Sequence, residues 1–90
     1  MYEVRMTIGL NKKDRKWLVD IVAQMFPEGA RVSALETGVW KDNLEDCATV
    51  TVAVNGPDLA RDVQQAFRLI GILAGQETVY LVTDGTVTFE

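Results

Sequence analysis

Histidine is absent from this 90-residue chain. Because histidine is the side chain most used for acid–base chemistry and metal binding near neutral pH, its absence excludes histidine-based catalytic triads and HExxH zinc sites. Cys47 is the only cysteine, so neither an intrachain disulfide bond nor a cysteine-based zinc cluster can form. We expect Cys47 to act as a small, half-buried apolar residue. These absences favour a binding or assembly protein over an enzyme.

Long apolar runs and nucleotide-binding motifs are also missing. No run approaches the roughly 20 apolar residues that cross a bilayer, and the N-terminal residues alternate between polar and apolar, unlike a signal peptide. Neither a GxxxxGK[ST] loop nor a GxGxxG motif occurs. We therefore expect a cytoplasmic protein with no cofactor and no membrane contact.

The totals that are present predict one small, mildly acidic domain. Hydrophobic residues make up 48% of the chain and the net charge is −4. The hydrophobic fraction argues against disorder, and the length allows a single domain with a thin core that association would help to cover. The acidic balance disfavours binding to a phosphate backbone.

Hydrophobic periodicity predicts the order strand, helix, strand, strand, helix, strand. Alternation predicts strands over 2–10, 31–40, 47–54 and 79–82, and apolar residues at helical spacing predict helices over 17–25 and 59–73. Pro27 with Gly29 is expected to end the first helix, and Gly75 the second. Gly38 is a candidate bulge, and residues 41–46 are expected to form a polar loop.

This order is typical of a ferredoxin-like α+β sandwich. We expect one domain over residues 1–90, with an antiparallel sheet in the order 4-1-3-2 and both helices on one face. Asp84-Gly85 predicts a hairpin turn into a short additional strand over 86–90. The uncovered sheet face would carry a polar set: Glu3, Arg5, Thr7, Thr49 and Thr51.

Five residues are the candidates for binding a ligand or partner: Arg5, Arg31, Trp40, Lys41 and Arg68. Arg5 lies in a predicted central strand, where it either binds a carboxylate or anion at an oligomer interface or pairs with Glu3 or Glu36 in its own sheet. Trp40 ends a strand, so it either anchors a partner or covers the end of the sheet.

Metal and nucleic-acid sites are disfavoured. The acidic cluster at 42–46 lacks the oxygen spacing and central glycine of a calcium loop, so a solvated hairpin tip is the preferred interpretation. RNA-recognition domains of this fold carry aromatic side chains on the first and third strands. Here those strands offer Arg5, Thr7, Thr49 and Thr51 instead. Asp14 interrupts the basic group at 12–16, which we interpret as a solvated helix start.

The segment Thr7-Ile8-Gly9-Leu10-Asn11-Lys12-Lys13-Asp14 resembles the opening of a group of short, uncharacterised proteins from phages and prophages. The likeness extends to Gly75-Gln76-Glu77-Thr78-Val79, which enters the last predicted strand, and to the order of elements. The group has no assigned function, so no functional residues transfer. The resemblance implies a mobile-element setting, in which small acidic proteins commonly inhibit or sequester host components.

The leading hypothesis is a non-enzymatic, homo-oligomeric binding protein. Its partner would be a host defence protein or a small anionic ligand, and an edge strand or the uncovered sheet face would join the copies. The alternative is a small dimeric α/β-sandwich enzyme with a cavity between helices and sheet, using Tyr80, Glu36 and Arg5. A third hypothesis is mimicry of nucleic acid by the acidic residues of segment 36–62, although their charge density is modest.

Overall fold

The chain folds into two helices and five strands. The computed structural model describes residues 1–76 and 79–84, apart from the side chain of Trp40. The elements are β1 (Tyr2–Gly9), α1 (Arg15–Met25), β2 (Arg31–Val32), β3 (Glu36–Trp40), β4 (Asn43–Val54), α2 (Pro57–Leu73) and β5 (Tyr80–Asp84). The hairpin predicted at Asp84-Gly85 and the strand predicted over 86–90 extend beyond the described residues.

The strands form one open antiparallel sheet, which confirms the α+β class. The sheet order is β2-β4-β1-β5, and β3 also pairs with β4. The predicted order 4-1-3-2 was therefore wrong as stated, because the segment expected to be one second strand forms two strands. Both pair with β4: β2 at Thr51 and Val50, and β3 from Cys47 to Asn43.

A one-residue insertion separates β2 from β3. Val32 lies opposite Val50 and Glu36 opposite Cys47, so three residues on one side face two on the other. Ser33 fills the gap, because its amide donates to the Thr49 carbonyl and its hydroxyl accepts from the Thr49 amide, both at 2.9 Å. This is a β-bulge. The bulge predicted at Gly38 was wrong, since β3 pairs there in continuous register.

The loop predicted over 41–46 is a two-residue turn between two strands. Lys41 and Asp42 have φ values of 49° and 64°, and β4 begins at Asn43. Positive φ at both central residues is the geometry of a type I′ hairpin turn, which matches the twist of the paired strands. The acidic residues 45 and 46 therefore lie in a strand, where alternation places their side chains on opposite faces.

Both helices pack on the same face of the sheet. Their buried side chains join the even-numbered residues of β1 and β4 in one core, formed by Val4, Met6, Ile8, Leu10, Leu18, Val22, Ala48, Val50, Val52, Ala60, Val63, Phe67, Ile70 and Ala74. Asp14 caps α1 by accepting from the Trp17 amide at 2.8 Å. Neither helix has the length and apolar character to cross a bilayer, within the described part of the chain.

Glycine ends the second helix, as predicted. Gly75 has a φ of 76°, and the amide of Gln76 donates to the Gly71 carbonyl at 2.9 Å, as in a Schellman motif. A β carbon at Gly71 would lie 2.6 Å from the side chain of Val79. The glycine thus lets the chain cross closely over the helix end before β5 begins.

Candidate functional site

The candidate site is the sheet face that points away from both helices, which we call the open face. In an antiparallel pair, directly opposed residues share a face, so the strand register assigns its members. They are Glu3, Arg5, Thr7 and Gly9 of β1, Cys47, Thr49, Thr51 and Ala53 of β4, Tyr80 and Val82 of β5, Arg31 of β2, and Glu36 and Gly38 of β3. Alternation along β1 and β4 predicts the central residues of this set.

One end of the open face holds a carboxylate between two arginines. The Glu3 carboxylate lies 3.8 Å from Arg5 Nε and 3.3 Å from an Arg31 terminal nitrogen. Glu3 is only 9% exposed, whereas the two guanidinium side chains are 43% and 71% exposed. Arg5 Nε is buried and makes no hydrogen bond within the described residues. The exposed parts of both guanidinium groups leave donors for a further acceptor.

The middle of the open face is uncharged. The hydroxyl oxygens of Thr7 and Thr49 lie 3.0 Å apart, forming a hydrogen bond across the two central strands. Tyr80 pairs with Thr7 on the other side and is 69% exposed. A small polar centre beside an exposed aromatic side chain can accept a second surface without burying a charge there.

The opposite end of the open face is acidic. Cys47 lies between Gly9 and Glu36, with Glu45 two residues along the same strand. Burial raises the pKa of the Cys47 thiol, and the negative charges of Glu36, Glu45 and Asp46 raise it further. A thiol with a raised pKa is a poor nucleophile at neutral pH. The bland interpretation of Cys47, as a half-buried residue, therefore agrees with the structure.

Glu45 reaches across the sheet because Gly9 has no side chain. A β carbon at Gly9 would collide with the Glu45 carboxylate. Glu45 Oε1 accepts hydrogen bonds from the Asn11 amide at 3.3 Å and from Gln76 Nε2 at 3.0 Å. The carboxylate thus lies over Gly9 and links β4 to the segment after α2. These residues line an open groove of about 1040 Å³ at this end of the sheet.

The β3–β4 hairpin carries an apolar pair in solvent. Val39 and Leu44 are opposite each other and are 72% and 76% exposed. Trp40 pairs with Asn43 at the last position before the turn, and Lys41 is the first turn residue. The hairpin tip therefore combines exposed aliphatic side chains with two of the predicted site residues.

The five predicted site residues fall in three places. Arg5 and Arg31 meet at Glu3 on the open face, Trp40 and Lys41 share the hairpin tip, and Arg68 is exposed on α2, on the opposite side of the sheet. Sequence reasoning placed Glu3 on the open face but missed its bridging position. It missed Glu45 entirely, because no local signal marks a side chain that crosses to a glycine 36 positions away in sequence.

The basic group at the start of α1 is engaged within the chain. Lys13 lies 5.3 Å from the Trp17 ring centre, and Lys16 pairs with Asp20 at 2.7 Å. Arg15 donates to the carbonyls that flank the bulge. Three of the four basic side chains thus have intrachain partners, which weakens a nucleic-acid interpretation.

The residues of the enzyme alternative do not converge. Tyr80 is in β5 and Glu36 in β3, three strand spacings apart across the sheet, which is about 14 Å. General acid–base partners must lie within hydrogen-bond reach of one substrate. Among the residues that the structure describes, no group of three or more acidic or cysteine side chains is placed to hold a metal ion.

Comparison with protein-family models, with curated proteins and with solved structures finds no match to this chain.

Proposed function

We propose that this chain is a non-enzymatic binding protein that works as a homo-oligomer, with the open face as the contact between copies. We also propose that its fold is a ferredoxin-like sandwich whose second strand is divided by the bulge. Counting β2 and β3 as one interrupted strand, because both pair with β4, supports this second proposal. A binding role does not require the convergent acid–base groups that the open face lacks.

The observation that carries the proposal is the distribution of charge on the open face. Two partly exposed arginines lie at one end, two glutamates at the other, and uncharged threonines between them. Such a surface is complementary to a reversed copy of itself, which is what an isologous contact requires. A small free anion is a less suitable occupant, because Glu3 already bridges Arg5 and Arg31.

The hairpin tip is the surface that we propose for a protein partner. In a face-to-face pair of copies, the tip with Val39, Leu44 and Lys41 stays at the periphery, where its exposed aliphatic pair is available. Exposed apolar side chains beside a tryptophan and a lysine are typical of protein contacts. In the mobile-element setting that the resemblance implies, such a protein would inhibit or sequester a host component.

The mass of the protein in solution tests the self-association. Size-exclusion chromatography with light scattering, over a range of concentrations, should give a mass above the 10.0 kDa of one chain. Thr49→Arg places a long cation at the centre of the open face and should return the protein to the monomer. Gln65→Arg adds the same charge at an exposed position on α2 and should leave the mass unchanged.

Two results would contradict the proposal. A wild-type protein that stays monomeric at millimolar concentration would exclude a contact between copies. An oligomer that persists in Thr49→Arg, with native circular dichroism, would show that copies meet elsewhere.

A further inference from the structure

We propose that two copies pack open face against open face, with the two-fold axis crossing the strands at the Thr7–Thr49 pair. This inference rests on the proposed self-association and specifies its register. Each strand would then run antiparallel to the same strand of the other copy. Arg31 of one copy would face Glu36 of the other, and Arg5 would face Glu45.

The strand register sets this pairing. Arg31 lies opposite Thr51, two residues from Thr49 in one direction, and Glu36 lies opposite Cys47, two residues from it in the other. Rotation about an axis at the Thr49 position exchanges these two levels. Because β2 and β3 both pair with β4, the exchange places the arginine of one copy over the glutamate of the other.

The second pair follows from the same rotation on β1. Arg5 and Gly9 lie two residues on either side of Thr7, so the rotation places Arg5 over Gly9 of the other copy. The Glu45 carboxylate lies over that glycine. Facing sheets pack about 10 Å apart, a gap that an arginine and a glutamate side chain can span together. Four ion pairs would thus form between the two copies.

The bulge is required for this complementarity. Without the extra residue, continued alternation from Val32 would place Leu35 on the open face and turn Glu36 toward the helix side. The insertion at 33–35 reverses the alternation, so Glu36 shares a face with Cys47 and Arg31. The bulge therefore provides the acidic counterpart of Arg31.

The size of the open face predicts a weak dimer. Four strands at about 4.8 Å each and eight residues at about 3.3 Å each give roughly 500 Å² per copy. The total is near the lower limit of about 1,000 Å² for a specific interface. We therefore expect dissociation in the micromolar range and strong dependence on salt.

Charge reversal tests the proposed Arg31–Glu36 pair. Arg31→Glu and Glu36→Arg should each raise the dimer dissociation constant about tenfold or more, because each homodimer then opposes like charges. Mixing the two variants should restore association as a heterodimer, in which both crossings carry opposite charges. Native mass spectrometry with one variant labelled with ¹⁵N distinguishes the heterodimer from either homodimer.

A cross-linking pair tests the register without altering these charges. In a Cys47→Ser background, Thr49→Cys lies on the axis, close to its own copy, and a short bis-maleimide should join the two chains. Ala53→Cys occupies the same strand and face, but it lies four residues from the axis, about 13 Å. It would be roughly twice that distance from its own copy and should not cross-link.

The outcomes separate this inference from the proposed function. A monomeric wild-type protein overturns both. A dimer in which both cysteine variants cross-link equally, and in which the mixed charge variants form no heterodimer, overturns the register and leaves the self-association standing. Circular dichroism of Arg31→Glu identifies a folding defect, because that variant places a second carboxylate beside Glu3. The cross-linking result decides the register in that case.

Discussion

At the scale of single residues, Gly9 and Glu45 depend on each other. The Glu45 carboxylate lies over the glycine and accepts hydrogen bonds from the Asn11 amide and from Gln76. Any side chain at position 9 would displace it. The glycine is therefore explained by the close approach of another side chain, since its φ is not positive.

This contact predicts a coupled pair of substitutions. Gly9→Ala should lower the free energy of unfolding by about 1 kcal/mol, because the carboxylate loses its hydrogen bonds. In a Glu45→Ala background the same change should be neutral or slightly stabilising, since alanine restricts the unfolded chain more than glycine does. Urea unfolding of the four proteins measures the coupling. Additive effects would show that Glu45 does not depend on Gly9.

The raised pKa of Cys47 predicts slow alkylation of the thiol. Glu36→Gln removes one of the negative charges that raise this pKa, so the thiolate fraction at pH 8 should increase, and the labelling rate by about twofold. Iodoacetamide labelling followed by mass spectrometry measures the rate. Glu28→Gln, in the exposed turn after α1, is the control and should not change it. A slower reaction in Glu36→Gln would contradict the electrostatic explanation.

At the scale of elements, the bulge between β2 and β3 is fastened from α1. Arg15 donates from Nε to the Ser33 carbonyl at 2.9 Å and from a terminal nitrogen to the Val32 carbonyl at 3.1 Å. Both carbonyls belong to an edge that has no further strand among the described residues. The helix start thus supplies donors that a neighbouring strand would otherwise provide.

Loss of this contact should destabilise the edge strand locally. Arg15→Met keeps an aliphatic side chain but removes the donors, so we expect a loss of about 1 kcal/mol and faster hydrogen exchange at the Ser33 and Thr49 amides. Lys16→Met, on the same helix turn, is the matched control because its partner is Asp20. Equal exchange in both variants would show that Arg15 does not hold the bulge.

The turn of the β3–β4 hairpin offers a stabilising change. Asp42 has a φ of 64°, which glycine adopts without steric cost. Asp42→Gly should therefore raise the free energy of unfolding by about 0.5 kcal/mol, since Asn, Asp and Gly are the residues that type I′ turns favour. Ala53→Gly, in the regular part of β4, should have the opposite effect. Thermal unfolding of both variants compares the two positions.

At the scale of the whole molecule, a thin core and one uncovered sheet face make folding and association interdependent. Both helices cover the same side, and the other side presents arginines, threonines and glutamates in ordered levels. If copies join through this face, dimerisation stabilises the folded state by mass action. The melting temperature should then rise with protein concentration.

Salt should reverse that dependence. The proposed contacts are ion pairs, which salt screens, so increasing sodium chloride from about 0.05 to 0.5 M should weaken the concentration dependence. Thr49→Arg should show no concentration dependence at either salt level. Differential scanning calorimetry at several concentrations measures both effects. A melting temperature that rises with concentration equally in the wild type and in Thr49→Arg would place the contact outside the open face.

The periodic pattern of the sequence determined the two helices, the central strands and the polar residues of the open face. Alternation in β1 and β4 is strict, and the apolar stripes of α1 and α2 repeat at helical spacing, so local physics was sufficient. The end of the second helix at Gly75 followed for the same reason.

Tertiary contacts alone decided the interruption of the second strand, the two-residue turn and the position of Glu45. The bulge depends on Ser33 substituting for a backbone acceptor opposite Thr49, and on donors from a helix 18 positions earlier in sequence. A one-residue change of register reverses every subsequent side chain. Local sequence therefore could not show that Glu36 would share a face with Arg31, because that depends on which residues the neighbouring strand places opposite it.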